Sequence, residues 1–431
     1  MKHKLTILLL CILLTFTACG SDAPASATEN TPTENATGNT DDSSAGEDTS
    51  TDDSEADSAS DAEPTMEDIM IENSLLGTGN NYRLKQVIAK ARAGEDVTLA
   101  FIGGSITEGY NAGTSEIFAK IVYDFFCENY GTGDNVHYVN AGLSGTPSSL
   151  GLLRSDRDLF AYEPDLIFIE FAVNDGSSIT DNTGFESLVY KALSQENDPA
   201  VILLISVVEN GYTRQDSMNL LGFRYELTRI GVKPAIWPFI EDGTIAWSDW
   251  SNDGSHPNTW GHAMYASFII DAIKAADAAE PDPEYELSEI FLKGYNHSNM
   301  VMIDRSMNMD AITLDSIGSF AEQGDLESFD EGWKYTGSST ENNAFTFTYT
   351  GRAMYITYKD TPTGSPYGSA DVYVDGEYKM SLHGSSDDGW HNPVIECIFT
   401  EKEAGTHTVE IRMNDDSLDK DFSILALGLV P

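Results

Sequence analysis

Between residues 81 and about 280 the apolar positions fall into two repeating arrangements. "YRLKQVIAKARAG", "SEIFAKIVYDFFCENYG", "SSLGLLRSDRDLFAY", "FESLVYKALSQ", "SMNLLGFRYELTRIG" and "GHAMYASFIIDAIKAA" space their apolar residues as one face of a helix does. Between them stand "VTLAFIGG", "VHYVNAG", "LIFIEFAVND" and "AVILLISVVE", which are near-continuous apolar runs. Such runs are expected of parallel strands covered on both faces. The alternation predicts a three-layer α/β domain. After the acidic, proline-bearing "AAEPDPEYELSE" the period drops to two in "FTFTYTGRAMYITYKD", "SADVYVDGEYKMSLHG" and "VIECIFTEKEAGTHTVEIRM". Asp375-Gly376 and Ala404-Gly405 suit tight turns between antiparallel strands, so this half reads as an all-β sandwich.

Ahead of the α/β pattern lie two segments of other character. Lys2 and Lys4 precede the apolar run "LTILLLCILLTFTAC", too short to span a membrane comfortably and typical of an export signal. Residues 20 to 66 are Ser, Thr, Asp, Glu, Ala, Gly and Asn with almost nothing apolar, and no Lys or Arg occurs between Lys4 and Arg83. That composition cannot offset its ordering entropy and predicts a disordered acidic tether. The chain is thus divided into a signal at 1–19, a tether at 20–66, an α/β domain at 67–282 and a β-sandwich at 283–431.

The formal net charge of −46 disfavours nucleic acid as a partner. Of the four cysteines, Cys127 and Cys397 fall in the folded part, most simply as two unrelated thiols. No HExxH, paired Cys-x-x-Cys, calcium loop or phosphate-cradling glycine loop occurs, so no metal and no cofactor is implied.

Ligand chemistry in open α/β sheets gathers at the carboxyl ends of the strands. Just past those ends come "GGSIT" with Ser105, "NAGLSGTPSS" with Gly145 and "AVND" with Asn174; before the last helix comes "NDGSHPNTWGH" with Asp253 and His256. A serine hydroxyl needs a base, which His256 can be, and the base needs an orienting acceptor, which Asp253 can be. The amides of Ser105 and Gly145 and the side chain of Asn174 are candidate donors to a developing oxyanion. Gly142 is an alternative to Gly145. His262 reads as structural. Trp247, Trp250 and Trp260 flank the Asp253–His256 segment, Tyr110 follows the serine, and Trp333 and Trp390 lie in the β half. Their rings suit sugars, although core packing is the commoner use of an aromatic.

"GGSIT", "LSGT", "VND" and "DGSHPN" resemble, in order, the four blocks of the SGNH (GDSL) hydrolases. The resemblance covers about residues 95 to 275. It implies a flavodoxin-like α/β/α sandwich in which Ser105 is the nucleophile, Gly145 and Asn174 are oxyanion donors, His256 is the base and Asp253 its orienter. Gly104 stands where many members have Asp, and Ala172 where Gly is usual. Thr107 two residues after Ser105 breaks any Gly-x-Ser-x-Gly elbow, which disfavours the lipase-type α/β-hydrolase fold. "FTAC" resembles a bacterial lipobox, which implies a lipidated Cys19 and a protein anchored outside the cell membrane. Some esterases of the SGNH group carry a jelly-roll, which makes the β half jelly-roll-like by analogy. The expected activity is hydrolysis of O-acyl, chiefly O-acetyl, esters on extracellular polysaccharide. The alternatives are a lipid or small-ester esterase and an inactive glycan-binding surface lipoprotein.

Overall fold

The runs "LIFIE" and "AVILLI" are buried from end to end, because helices cover both faces of the sheet that they form, whereas "VHYVNAG" at the sheet edge is only partly buried. The computed structural model describes residues 63–337 and 343–431; the export signal, Cys19 and the tether through residue 62 lie outside the described residues. Helix α1 (Met66–Ser74), capped by Thr65, leads into the short β1 (Leu75–Gly77), α2 (Tyr82–Arg92) and β2 (Val97–Gly103). Then follow α3 (Ser105–Glu108), α4 (Phe118–Tyr130), β3 (Val136–Gly142), α5 (Ser148–Asp158), β4 (Leu166–Glu170), α6 (Ile179–Leu193) and β5 (Ala200–Ile205). Helix α7 (Gln215–Arg224), β6 (Thr228–Gly231), α8 (Val232–Glu241), α9 (Trp247–Trp250) and α10 (Thr259–Ala278) complete this half.

The sheet order is β1-β6-β5-β4-β2-β3, parallel except for β1 on β6. Its five parallel strands have the flavodoxin-like order. Strand β2 lies between β3 and β4, so the connections that leave its carboxyl end diverge there and open a crevice. Helices α1, α2, α4, α8 and α10 cover one face around Phe101, Phe118 and Phe168, while α5, α6 and α7 cover the other around Leu150, Leu153 and Ile169. One expectation is corrected. "SMNLLGFRYELTRIG" does not form a single helix: α7 stops at Arg224, Glu226 takes a left-handed turn (φ 50°), and "TRIG" becomes β6. Thr228 and Ile230 are β-branched, and burial beside β5 outweighs the helical spacing.

The second half contains β7 (Val301–Ile303), β8 (Thr313–Ser316), β9 (Trp333–Thr336), β10 (Phe345–Pro362), β11 (Ser369–Val374), β12 (Glu377–His383), β13 (Ser385–Ser386), β14 (Asn392–Met413) and β15 (Asp421–Val430). The main path is β12-β11-β14-β10-β15-β7, with its neighbours antiparallel. Asp375 and Gly376, both at positive φ, turn β11 into β12 as expected. Ala404-Gly405 makes no hairpin. Strand β14 runs through it, and its register on β10 jumps from Gly351↔Gly405 to Ala353↔Thr400. Pairing with β10 on both sides converts the turn residues into a bulge that bends a long strand. Trp333 packs edge-on against Phe345 at 5.0 Å, which joins the two layers around a core of their own.

The two halves also share a core. Met300, Met302, Phe329, Tyr355, Leu425 and Val430 belong to the same buried cluster as Leu153 and Leu188 on the α5–α6 face. The connecting segment is bound rather than free: Asp282 accepts from the Asn81 amide at 2.8 Å, and buried Glu186 accepts from the Phe291 and Leu292 amides. The described residues from Glu63 onward belong to one compact unit. Cys127 and Cys397 are separate free thiols.

Candidate active site

Ser105 opens α3 immediately beyond β2, at the crevice, so its hydroxyl leaves the sheet where the neighbouring connections part. Its Oγ lies 2.8 Å from His256 Nε2, and His256 Nδ1 lies 2.9 Å from Asp253 Oδ2. The other oxygen, Asp253 Oδ1, accepts from the Ser255 and His256 amides, both at 2.7 Å, and Asn111 Nδ2 donates to Oδ2 at 2.8 Å. Partial burial resists the charge on Asp253, but the donors from His256 and Ser255 outweigh it and hold the carboxyl at about 2. A permanently ionised acceptor on Nδ1 leaves Nε2 free to accept a proton from Ser105.

The loop that carries Asp253 and His256 is fastened from below. Ser251 Oγ donates to the Asp253 and His256 carbonyls, and Trp247 Nε1 donates to the Asp253 carbonyl at 2.6 Å. Trp247 and Trp250 are therefore buried scaffolding, and Trp260 donates to Glu67 at 3.0 Å. Trp247 and Trp250 thus offer no open face to a sugar, while Trp260 is partly buried against the same core. His262 is buried and accepts the Phe118 amide at Nδ1.

The candidate donors converge from two other strand ends. The Ser105 amide belongs to the first turn of α3, where N–H groups have no intrahelical partner. Asn174 lies against Gly104: a Cβ there would fall 2.2 Å from Asn174 Oδ1, so the glycine makes the room that the amide occupies. Gly145 has a φ of 68°, and among the described residues no acceptor holds its N–H. The Gly142 amide, in contrast, already donates to Asn140 Oδ1 at 2.9 Å, and Gly142 packs against the backbone of Glu108. Buried Asp175 joins the two loops by accepting the Ser148 amide at 2.7 Å. Burial pushes its carboxyl up to about 7 against the hydrogen bonds from Ser148.

Two aromatic rings face this cluster. Tyr110 lies 4.5 Å from the His256 ring, and its side chain is half exposed. Trp390, between β13 and β14 of the second half, is 51% exposed and covers Gly145: a Cβ on that glycine would come within 2.8 Å of the indole Cζ2. Sequence reading left Trp390 as one of several aromatics and did not register Asn111 or Ser251. Asn111 carried a signal, because "GYNAG" is a turn in which Asn tolerates its positive φ of 68°.

Residues 101–264 match the model of the GDSL-like Lipase/Acylhydrolase family. An arylesterase of Vibrio mimicus is 25% identical over 174 residues, which are 40% of this chain and 85% of the relative. A two-domain esterase active on acetylated mannans, solved with mannopentaose, superposes with a TM-score of 0.73 at 26% identity, over 84% of this chain and 98% of that one. A second crystal structure of a two-domain esterase active on acetylated mannans gives a TM-score of 0.73 at 25% identity, over 84% of this chain and 99% of that one. With this fold and these relatives, the protein is a carboxylic ester hydrolase of the SGNH type.

Proposed function

We propose that the protein removes O-acetyl groups from an extracellular polysaccharide, with acetylated mannan as the foremost substrate. The observation that carries this reading is Trp390, an exposed indole delivered by the β half onto Gly145, within the reach of a sugar whose ester lies at Ser105. The likeness to a mannan-active esterase extends over both halves, which supports the same substrate class.

In this reading His256 Nε2 takes the Ser105 proton as Oγ attacks the acetyl carbonyl. The Ser105 and Gly145 amides and the Asn174 side chain receive the oxyanion; a single such donor is typically worth about 3 to 4 kcal/mol. The intermediate collapses as His256 protonates the departing sugar hydroxyl, which leaves acetyl-Ser105. Water, deprotonated by His256, then attacks the acyl group; acetate leaves and the proton returns to Ser105. Residues 67–282 supply this chemistry and 283–431 a sugar platform. A lipid anchor at Cys19 and the acidic tether would hold both outside the cell membrane.

Acetate release from acetylated mannan, acetylated xylan and a p-nitrophenyl ester series tests the proposal. Efficient release from mannan is expected. Hydrolysis of the small esters alone would favour the small-ester reading. One observation favours that reading too: an apolar groove of about 680 Å³ between α6 and α7, lined by Ile179, Met218, Leu220 and Phe223, with Asp175 at one end.

A further inference from the structure

A second buried carboxyl lies behind the nucleophile, and the chemistry above does not use it. Glu170 is the last residue of β4 and the Cα partner of Gly103. It is 1% exposed, and its Oε2 accepts from Thr107 Oγ1 at 3.2 Å. Thr107 is the third residue of α3, the helix that Ser105 begins. The contact needs its own space: a Cβ on Gly103 would fall 2.2 Å from Thr107 Oγ1 and 2.5 Å from the Glu170 carbonyl oxygen. The Gly104 amide lies near the Glu170 carboxyl, so one group adjoins the residues on both sides of Ser105.

The groups that face Glu170 are polar and uncharged. They are Thr107 from α3, the Gly104 amide at the end of β2, Ser206 just beyond β5 and Tyr265 from α10. Glu170 Oε1, Ser206 Oγ and Tyr265 OH each lack a well-formed hydrogen bond. His262, one turn earlier on α10, accepts the Phe118 amide. Arg154, which donates to the Gly103 carbonyl, comes from α5 on the opposite face of the sheet. A carboxylate buried without a cation is costly, and an apolar side chain would fill the same space without that cost. Retaining an acid here calls for a use.

We infer that Glu170 is the positioning residue of the nucleophile turn: it holds Thr107 from behind, with the Gly104 amide beside it, and through that turn fixes Ser105 Oγ against His256 Nε2. Burial pushes its carboxyl up to about 7, against the hydrogen bond from Thr107 and the nearby polar groups of Ser206 and Gly104, which favour the charged form. The neutral form therefore prevails below neutrality. Above it an uncompensated negative charge forms behind the donors that must receive an oxyanion, which opposes the charge developing in the transition state.

The inference rests on Ser105 as nucleophile, and its test separates the two. kcat and KM for p-nitrophenyl acetate are measured from pH 5 to 9 on the full chain, on Glu170→Gln and on Glu170→Leu, with Ser105→Ala alongside. Glu170→Leu is expected to lower kcat at pH 6 about tenfold or more, with KM within about twofold. Glu170→Gln, which fills the same space and cannot ionise, is expected to keep kcat at pH 6 within about threefold and to lose the wild-type decline above neutrality. An active Ser105→Ala overturns the nucleophile reading itself. An inactive Ser105→Ala beside a Glu170→Leu enzyme with wild-type kcat overturns the positioning role alone, as does a Glu170→Gln enzyme that keeps the alkaline decline. If Glu170→Leu does not fold, the Glu170→Gln profile decides.

Discussion

Ser105, Asn174 and His256 stand in short, distinctive stretches of the α/β half, each just beyond a strand or just before a helix. Trp390 stands in "DDGWHNP", an ordinary loop between strands of the β half, and nothing nearby marks it. The two regions hold their parts of the site by different means. In the α/β half the sheet topology places any residue at a strand end in the crevice, so local sequence suffices. In the β half position comes from a long-range fit, because α5 and α6 share a core with β10 and β15 and the whole sandwich must dock before its loop reaches Gly145. On the proposed function, catalytic geometry in this chain is therefore local, and recognition geometry is global.

The strongest way to break that contrast is to end the chain near Glu280. Truncation uncovers the α5–α6 face that Met300, Tyr355 and Leu425 bury, and each large apolar side chain involved is worth roughly 1.5–3 kcal/mol. Loss of soluble, cooperatively melting protein is expected, read by size exclusion and thermal unfolding. A soluble fragment with full activity on p-nitrophenyl acetate would instead show that the halves are separable. Trp390→Ala is the sharper probe. Losing one stacked ring should raise KM on acetylated mannan about tenfold while leaving kcat and small-ester kinetics within about twofold. Equal losses on polymer and on p-nitrophenyl acetate would assign the indole to support of Gly145 alone.

The smallest effect concerns the seam itself. His297 is buried, shares a hydrogen bond at Nδ1 with Tyr355 OH at 2.7 Å, and donates its backbone amide to Ser187 Oγ at 2.9 Å. Burial, aided by Arg352, holds its ring down at about 4 from an ordinary 6.5. The folded state thus prefers the neutral ring. Stability is complete above pH 6.5 and falls as the pH drops toward 4, by on the order of 3 kcal/mol. His297→Gln should flatten the melting temperature between pH 7.5 and 4.5 only in part, since His262 is also held near 4 by burial. An unchanged acid limb would show that the seam does not sense protons.

Much of the α/β half was legible because buried parallel strands are apolar at every position and the helices between them are not. β6 was not legible: four residues beside a helical pattern cannot declare themselves until a neighbouring strand buries them. The bulge at Ala404-Gly405 was misread for a similar reason, since a turn dipeptide reads alike whether its flanks pair with each other or with a third strand. Within the site, the order of Ser105, Asn174, Asp253 and His256 could be read along the chain. The choice between Gly142 and Gly145 could not, because it depends on Asn140 occupying one of the two amides. Trp247 and Trp250 near His256 looked like sugar platforms only because burial is not visible along the chain.

Gly145 has a consequence for how such an enzyme can change over generations. Its positive φ and the indole above it each forbid a side chain, for unrelated reasons. Under the proposed function, a mutation there would disturb the amide offered to the reacting carbonyl and displace the ring offered to the substrate at the same time. Preference among glycans must then drift through residue 390 and its loop, while residue 145 stays fixed. The lineage can change its diet at one position only by leaving its neighbour alone.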